Sequence, residues 1–162
     1  MAISYTLNIA IPLAAEKVAA ELYRVALEAG LLVESTDEAK LVDPGVVTAS
    51  GTWLRVLAEA ADARHPVSTA LGFSPTIRVA FRFDKFADFD LQGNDMVELV
   101  AGLLGQIPGD LVLHFQFETI WLLRRGDELT ISDRDDLWPP SRLALLKGAY
   151  DRRPLTFSDI PG

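Results

Sequence analysis

Residues 3–30 read ISYTLNIAIPLAAEKVAAELYRVALEAG, and the period of their apolar positions changes once. Over 3–9, Ile3, Tyr5, Leu7 and Ile9 fall on one side and Ser4, Thr6 and Asn8 on the other. That two-residue alternation is the mark of a half-buried strand. Pro12, with no N–H to give to a ladder, ends it. From Leu13 the repeat lengthens. Val18, Leu22, Val25 and Ala29 form one stripe, and Lys17, Glu21, Arg24 and Glu28 form the opposite one, which predicts an amphipathic helix. The charged stripe alternates in sign at helical spacing, a small further support. Gly30 is the natural stop.

The rest of the chain repeats this logic. DPG at 43–45 is a turn signal. A strand or hairpin follows, best defined over Thr52–Leu57, and residues 60–75 read as a polar loop with Pro66, Gly72 and Pro75. TIRVAFRF at 76–83 alternates most clearly, with Ile77, Val79, Phe81 and Phe83 inward and Arg78, Ala80 and Arg82 on the other side. A second helix is predicted over roughly 95–107, with Met96, Val100, Leu103 and Ile107 buried and Pro108-Gly109 closing it. LVLHFQFETIWLLRR at 111–125 supplies one long bent strand or two. Gly126-Asp127 is a tight turn and ELTIS returns. Pro140 and Ser141 can start a short helix through Leu146. The order β-α-β-β-α-β predicts an α+β, ferredoxin-like split βαβ sandwich with both helices on one face of an antiparallel sheet, extended by a C-terminal β-hairpin and a short helix. One domain over 1–162 is expected, with a loosely held tail from about 151.

Composition narrows function. A 162-residue chain that is 49% hydrophobic, with three Trp and eight Phe, can build a core. A net charge of −8 argues against a nucleic-acid partner, because phosphate contacts need a basic surface, and leaves a basic protein partner open. No cysteine is present, so disulfides, thiolate metal sites and cysteine nucleophiles are excluded. That suits a reducing cytoplasm. The N-terminal apolar run has no basic leader and is too short and broken to span a bilayer, so neither export nor a membrane partner is expected.

Two groups of residues could carry chemistry or recognition. DRDDLW at 133–138 places Asp133, Asp135 and Asp136 beside Trp138 and ahead of a Pro-Pro stop. It fails as a calcium loop, since the sixth position is Trp138 rather than Gly and no Glu stands at the twelfth. A solvated turn is the plain reading. A partner-binding rim is the functional one, with Trp138 either an interface anchor or a plug that pins the turn to the core, the latter favoured. The second group is a polar cluster on the sheet face. An uninterrupted strand would put His114, Gln116 and Glu118 on one face, and Arg78 and Arg82 share the face of their own strand, where Glu118 is a natural ion-pair partner. Arg124 and Arg125 read as charges protecting a hairpin end. GLLGQIPGD at 102–110 lacks the lysine and setting of a phosphate loop, and no metal or cofactor motif occurs.

Several segments together carry a family resemblance: GTWLRV at 51–56, LGFSPTIRVAFRFDK at 71–85, VLHFQFETIWLLRRGDELTI at 112–131 and DDLWPPSRLAL at 135–145. In that order they resemble a bacterial family of immunity proteins from swarm-inhibition, or polymorphic, toxin systems, over nearly the whole chain. The resemblance implies a non-catalytic cytoplasmic protein that binds and neutralises a cognate toxin. The residues alone keep other classes open: a small hydrolase built on His114 and carboxylates, a ligand-binding protein using the sheet face, or a structural module. Homodimerisation also stays open, because sheets of this kind can leave an edge unpaired.

Overall fold

The computed structural model describes residues 3–33 and 36–157. The opening alternation becomes strand β1 (Ile3–Ala10), and the longer repeat becomes helix α1 (Ala15–Glu28). Leu7 and Ile9 are fully buried against α1, which presents Ala15, Val18, Ala19, Leu22 and Ala26. Gly30 has φ +70, the left-handed conformation that glycine enters without a Cβ penalty. A short 3-10 turn at Glu38–Leu41 follows. Strands β2 (Val46–Val47) and β3 (Trp53–Ala58) then pair as the expected hairpin.

The segment read as a polar loop over 60–75 contains a helix, α2 (Pro66–Leu71). His65 caps it by accepting the Val67 N–H on Nδ1 at 3.0 Å, Pro66 occupies the first turn, and Gly72 closes it with φ +81. Proline at the start and glycine just past the end is the usual asymmetry of helix termini. With six residues, however, α2 shows too little periodicity for the pattern to register. Strand β4 (Ile77–Phe83) buries Ile77, Val79, Phe81 and Phe83 as expected.

Helix α3 spans Phe89–Leu104, starting earlier than the predicted 95 and ending before 107. Asp88 caps it by accepting the Leu91 N–H at 3.0 Å. Ile107 is buried beyond the helix end rather than on its stripe. Strands β5 (Asp110–Phe115), β6 (Thr119–Arg125) and β7 (Glu128–Ser132) then run as a meander. Helix α4 (Pro140–Leu143) is shorter than expected. Residues 151–153, read as loose tail, form strand β8 (Asp151–Arg153), parallel to β7. The end of that tail, 158–162, lies outside the described residues.

The sheet order is β2-β3-β4-β1-β5-β6-β7-β8. Its β3-β4-β1-β5 core, antiparallel throughout and with α1 and α3 packed together, is the split βαβ arrangement. The main core lies between this face and the two helices. The opposite face is not bare. Val67 and Leu71 of α2, with Phe73 and Leu155, cover Val112 and Ile120, so β5 buries residues on both sides. No helix among the described residues is long and apolar enough to cross a membrane.

Two contacts set how α3 sits. A Cβ on Gly102 would fall inside the side chain of Val25, so α1 and α3 approach closely only because that position is glycine. Arg124, expected to guard a hairpin end, is instead 9% exposed. Its guanidinium donates to the carbonyls of Gly109 (2.9 Å), Leu104 (3.0 Å) and Ile107 (2.9 Å). A cation at a helix C-terminus also opposes the negative end of the helix dipole. Gly102→Ala should lower stability by about 1–3 kcal/mol in urea titration, through overpacking against Val25. Gly105→Ala is the control: a Cβ there meets only the Gly102 carbonyl at 3.8 Å, so stability should stay within about 0.5 kcal/mol.

Candidate functional site

The acidic turn is built by local hydrogen bonds. The Asp133 N–H donates to the Arg153 carbonyl of β8, and the Leu137 and Trp138 N–H groups both donate to the Arg134 carbonyl. The Arg134 guanidinium forks onto Asp136 at 3.1 and 2.7 Å, and this hydrogen bonding holds the Asp136 carboxyl below its ordinary range. Asp135 is 95% exposed, 3.5 Å from Arg152. Asp133 and Asp136 are exposed too. Trp138 is not: it is 1% exposed and its Nε1–H donates to the Trp121 carbonyl at 2.9 Å. It therefore reaches no partner directly. It is the plug beneath the turn, with Pro139 and Pro140 limiting the chain that leaves it.

Beside the turn lies a cleft of about 190 Å³. Its walls include Tyr5, Phe83, Phe89, Asp90, Trp121, Asp136, Leu137 and Arg142. Burial raises the Tyr5 hydroxyl pKa, against an opposing pull from Arg142. Arg142 itself is 5% exposed, lies over the Trp121 ring at 5.2 Å, and donates to Asn94 Oδ1 (2.9 Å) and the Leu137 carbonyl (2.7 Å). It ties α3 to the acidic turn. The sequence reading missed both this tie and the aromatic side of the cleft. A usable signal existed in DKFADFDL at 84–91, where aromatic residues alternate with charges and fit neither a strand nor a buried helix face.

The sheet-face cluster only partly assembles. Gln116 and Phe117 have φ of 52 and 59 and make the β5–β6 turn, so of the two expected forms of 111–125 the chain takes two strands, not one uninterrupted strand. Gln116 and Glu118 therefore sit in that exposed turn, not on the sheet with His114. Arg78 does face its expected side, but its carboxylate partner is Glu59 at 3.6 Å rather than Glu118. Arg82 lies over the Trp53 ring at 5.0 Å.

His114 is fully buried. Its Nδ1 accepts the Phe117 N–H at 3.1 Å, so the ring proton sits on Nε2, which donates to Asn8 Oδ1 at 2.7 Å. Asn8 Nδ2 reaches Glu59 Oε1 at 3.4 Å, and His65 Nε2 lies 3.2 Å from Glu59 Oε2. Phe117 stacks on the His114 ring and Phe157 meets it edge-on. Burial, then the nearby charge of His65, pushes the His114 pKa down to about 3. A neutral ring with both nitrogens engaged and aromatic cover on its face is structural. It cannot serve as the base of the hydrolase alternative without dismantling these contacts. Among the described residues no group of three or more His, Cys, Asp or Glu is placed to hold a metal. Two larger clefts, of about 640 and 590 Å³, flank the C-terminal end of α3 and include none of the expected site residues.

Two measurements check these roles. Trp138→Ala should cost about 3–5 kcal/mol of unfolding free energy, the range for truncating a buried aromatic, whereas Asp135→Lys should change it by less than about 0.5 kcal/mol. Because the folded pKa of His114 lies below its reference of 6.5, its contribution is complete above pH 6.5 and is lost as pH falls toward about 3. Between pH 7 and pH 5 this group alone should remove about 2 kcal/mol. His114→Gln should lose that much less than the native protein over the same interval. Equal losses would show that His114 titrates normally.

Comparison with known proteins gives one family. Residues 3–142 match the SitI3-like family model, which takes in the sheet core, the acidic turn and Trp138. No curated protein and no solved structure matches the chain significantly. The matched span covers well over half of the sequence and agrees with the resemblance carried by its motifs. The chain belongs to the SitI3-like family of immunity proteins, whose general role is to bind a cognate toxin rather than to catalyse a reaction.

Proposed function

We propose that this protein neutralises a basic toxin by occupying part of its surface, and that Asp133, Asp135 and Asp136 are the rim through which it docks. The family membership over residues 3–142 carries the neutralising role. The net charge of −8 and the exposure of the three aspartates support the basic partner. The rim stands on a fixed base, since Trp138 is anchored in the core and the turn is closed by its own hydrogen bonds. A preformed surface loses less conformational entropy on binding than an acidic tail would. Carboxylates at a rim act mainly on encounter, steering an oppositely charged partner and raising the association rate.

Co-expression with the toxin encoded beside the gene tests the role, the expected outcome being rescue of growth and a complex that co-purifies. Asp135→Lys combined with Asp136→Lys should then weaken the complex about tenfold or more at low salt, with a smaller loss at high salt, because screening already removes part of the native attraction. Folding stability should stay nearly constant, as both side chains are mostly exposed. An affinity unchanged across salt would leave the turn as a solvated turn only.

A further inference from the structure

The junction between β4 and α3, DKFADFDL at 84–91, leaves apolar side chains in water. Phe86 is 88% exposed, Phe89 43% and Leu91 49%. Single exposed apolar residues are ordinary, but this group is local and includes a nearly bare phenylalanine, which is the kind of residue that marks a protein-binding surface. The junction is not slack. Asp84 accepts the Phe86 N–H at 2.9 Å and Asp88 accepts the Leu91 N–H at 3.0 Å. Phe89 and Asp90 on this side line the same cleft as Asp136 and Leu137 on the other. Arg142 bonds to both sides and fixes their spacing.

Building on the neutralisation reading above, we propose that the β4–α3 junction and the acidic turn form one docking surface for a basic segment of the toxin. Phe86 is its protruding anchor. The cleft beside Phe89 takes one apolar side chain of the partner, and lysine or arginine residues flanking that side chain pair with Asp90 and Asp136. Charge selects this occupant. Asp84, Asp88, Asp90, Asp133, Asp135 and Asp136 outnumber Lys85, Arg134, Arg142 and Arg152 here, and the cations are engaged: Lys85 lies over the Phe86 ring at 5.2 Å, Arg134 is held by Asp136, Arg142 is 5% exposed and bonded to Asn94 and Leu137, and Arg152 lies 3.5 Å from Asp135. A second copy of the chain seated face to face would set these carboxylates against each other. An anionic lipid surface or a nucleic acid would be repelled in the same way.

The probe is a short synthetic peptide in which lysines flank a single phenylalanine, followed by amide chemical-shift mapping on the full chain. Residues 84–91 and 134–137 should move. Phe86→Ser should weaken the peptide about tenfold without changing the thermal midpoint, since that side chain packs on little else. A matched peptide with glutamates in place of the lysines should not bind. Shifts centred elsewhere, equal binding of the two peptides, or indifference to Phe86→Ser would overturn the assignment. Concentration-dependent shifts at 84–91 without peptide would make a second copy the occupant and overturn it as well. Co-expression separates the two readings. A native protein that fails to protect against the toxin encoded beside its gene overturns neutralisation. A native protein that protects, together with a Phe86→Ser, Leu91→Ser variant that protects equally, overturns the docking surface alone.

Discussion

The hydrogen bond between His114 and Asn8, at 2.7 Å, makes the sheet two-sided. β1 and β5 lie at the centre of the sheet, and each directs a polar side chain away from α1 and α3. Left on an open face, both would simply be hydrated. Here they are 0–1% exposed, under a roof made by α2, Phe117 and Phe157. Covering polar groups is unfavourable unless every hydrogen-bonding atom finds a partner. The network that meets this condition runs from the Phe117 amide through His114 and Asn8 to Glu59, which also lies against His65 and Arg78. His65 in turn caps α2. The roof and the polar groups beneath it therefore depend on each other. The β5–β6 turn, with its residues at positive φ, is held in place by the other nitrogen of the His114 ring, Nδ1, which accepts the Phe117 N–H.

That arrangement commits the sheet face to stability. The conspicuous polar side chains of the sheet face are used to close the fold, so the face looks chemically rich in sequence and is structurally committed in three dimensions. The proposed docking groups lie instead at the edge of the main core, where Trp138 and Arg142 fasten the acidic turn to α3. Gly93 leaves room for Arg142 there. A Cβ at that position would come within 2.9 Å of Nη2 of Arg142. A glycine inside a helix lowers its intrinsic stability by about 1 kcal/mol relative to alanine. In α3 the space left by that glycine is filled by a guanidinium that bonds to both sides of the cleft.

Much of the fold was legible because alternation and helical repeat are strong wherever one face is apolar. β1, α1 and β4 were read almost in place, and the split βαβ order followed from them. What escaped the pattern was polar and buried. The first half of α3 carries Gln92, Gly93 and Asp95 on its inner side, which hides the stripe that periodicity looks for. Arg124 looked like a surface charge because nothing local reveals that three carbonyls will converge on it. The run 111–125 read as a possible single strand because a non-glycine pair at positive φ has no composition signal of its own. The three aspartates of the turn were legible as an exposed group, and Trp138 as the plug under it. The aromatic half of the cleft left a local signal in 84–91, but its pairing with the turn exists only after folding.

The carboxylates around that cleft are not equivalent, and the difference follows from where their lone pairs go. Asp84 accepts the Phe86 N–H in the turn before α3 and Asp88 accepts the Leu91 N–H in its first turn, so they shape the junction as well as charging it. The positive end of the helix dipole also tempers the field of Asp88 locally. Asp136 shares its charge with Arg134 through a forked hydrogen bond. Asp135 is nearly bare, with one contact to Arg152 at the outer limit of a hydrogen bond, and Asp90 is exposed in the first turn of α3. Asp90 and Asp135 therefore carry charge with little part in the local hydrogen bonding, Asp90 within the field of the Arg142 guanidinium, while Asp84, Asp88 and Asp136 also hold the local geometry. In the proposed docking surface, charge and shape thus reside largely in different side chains, and one can change without the other.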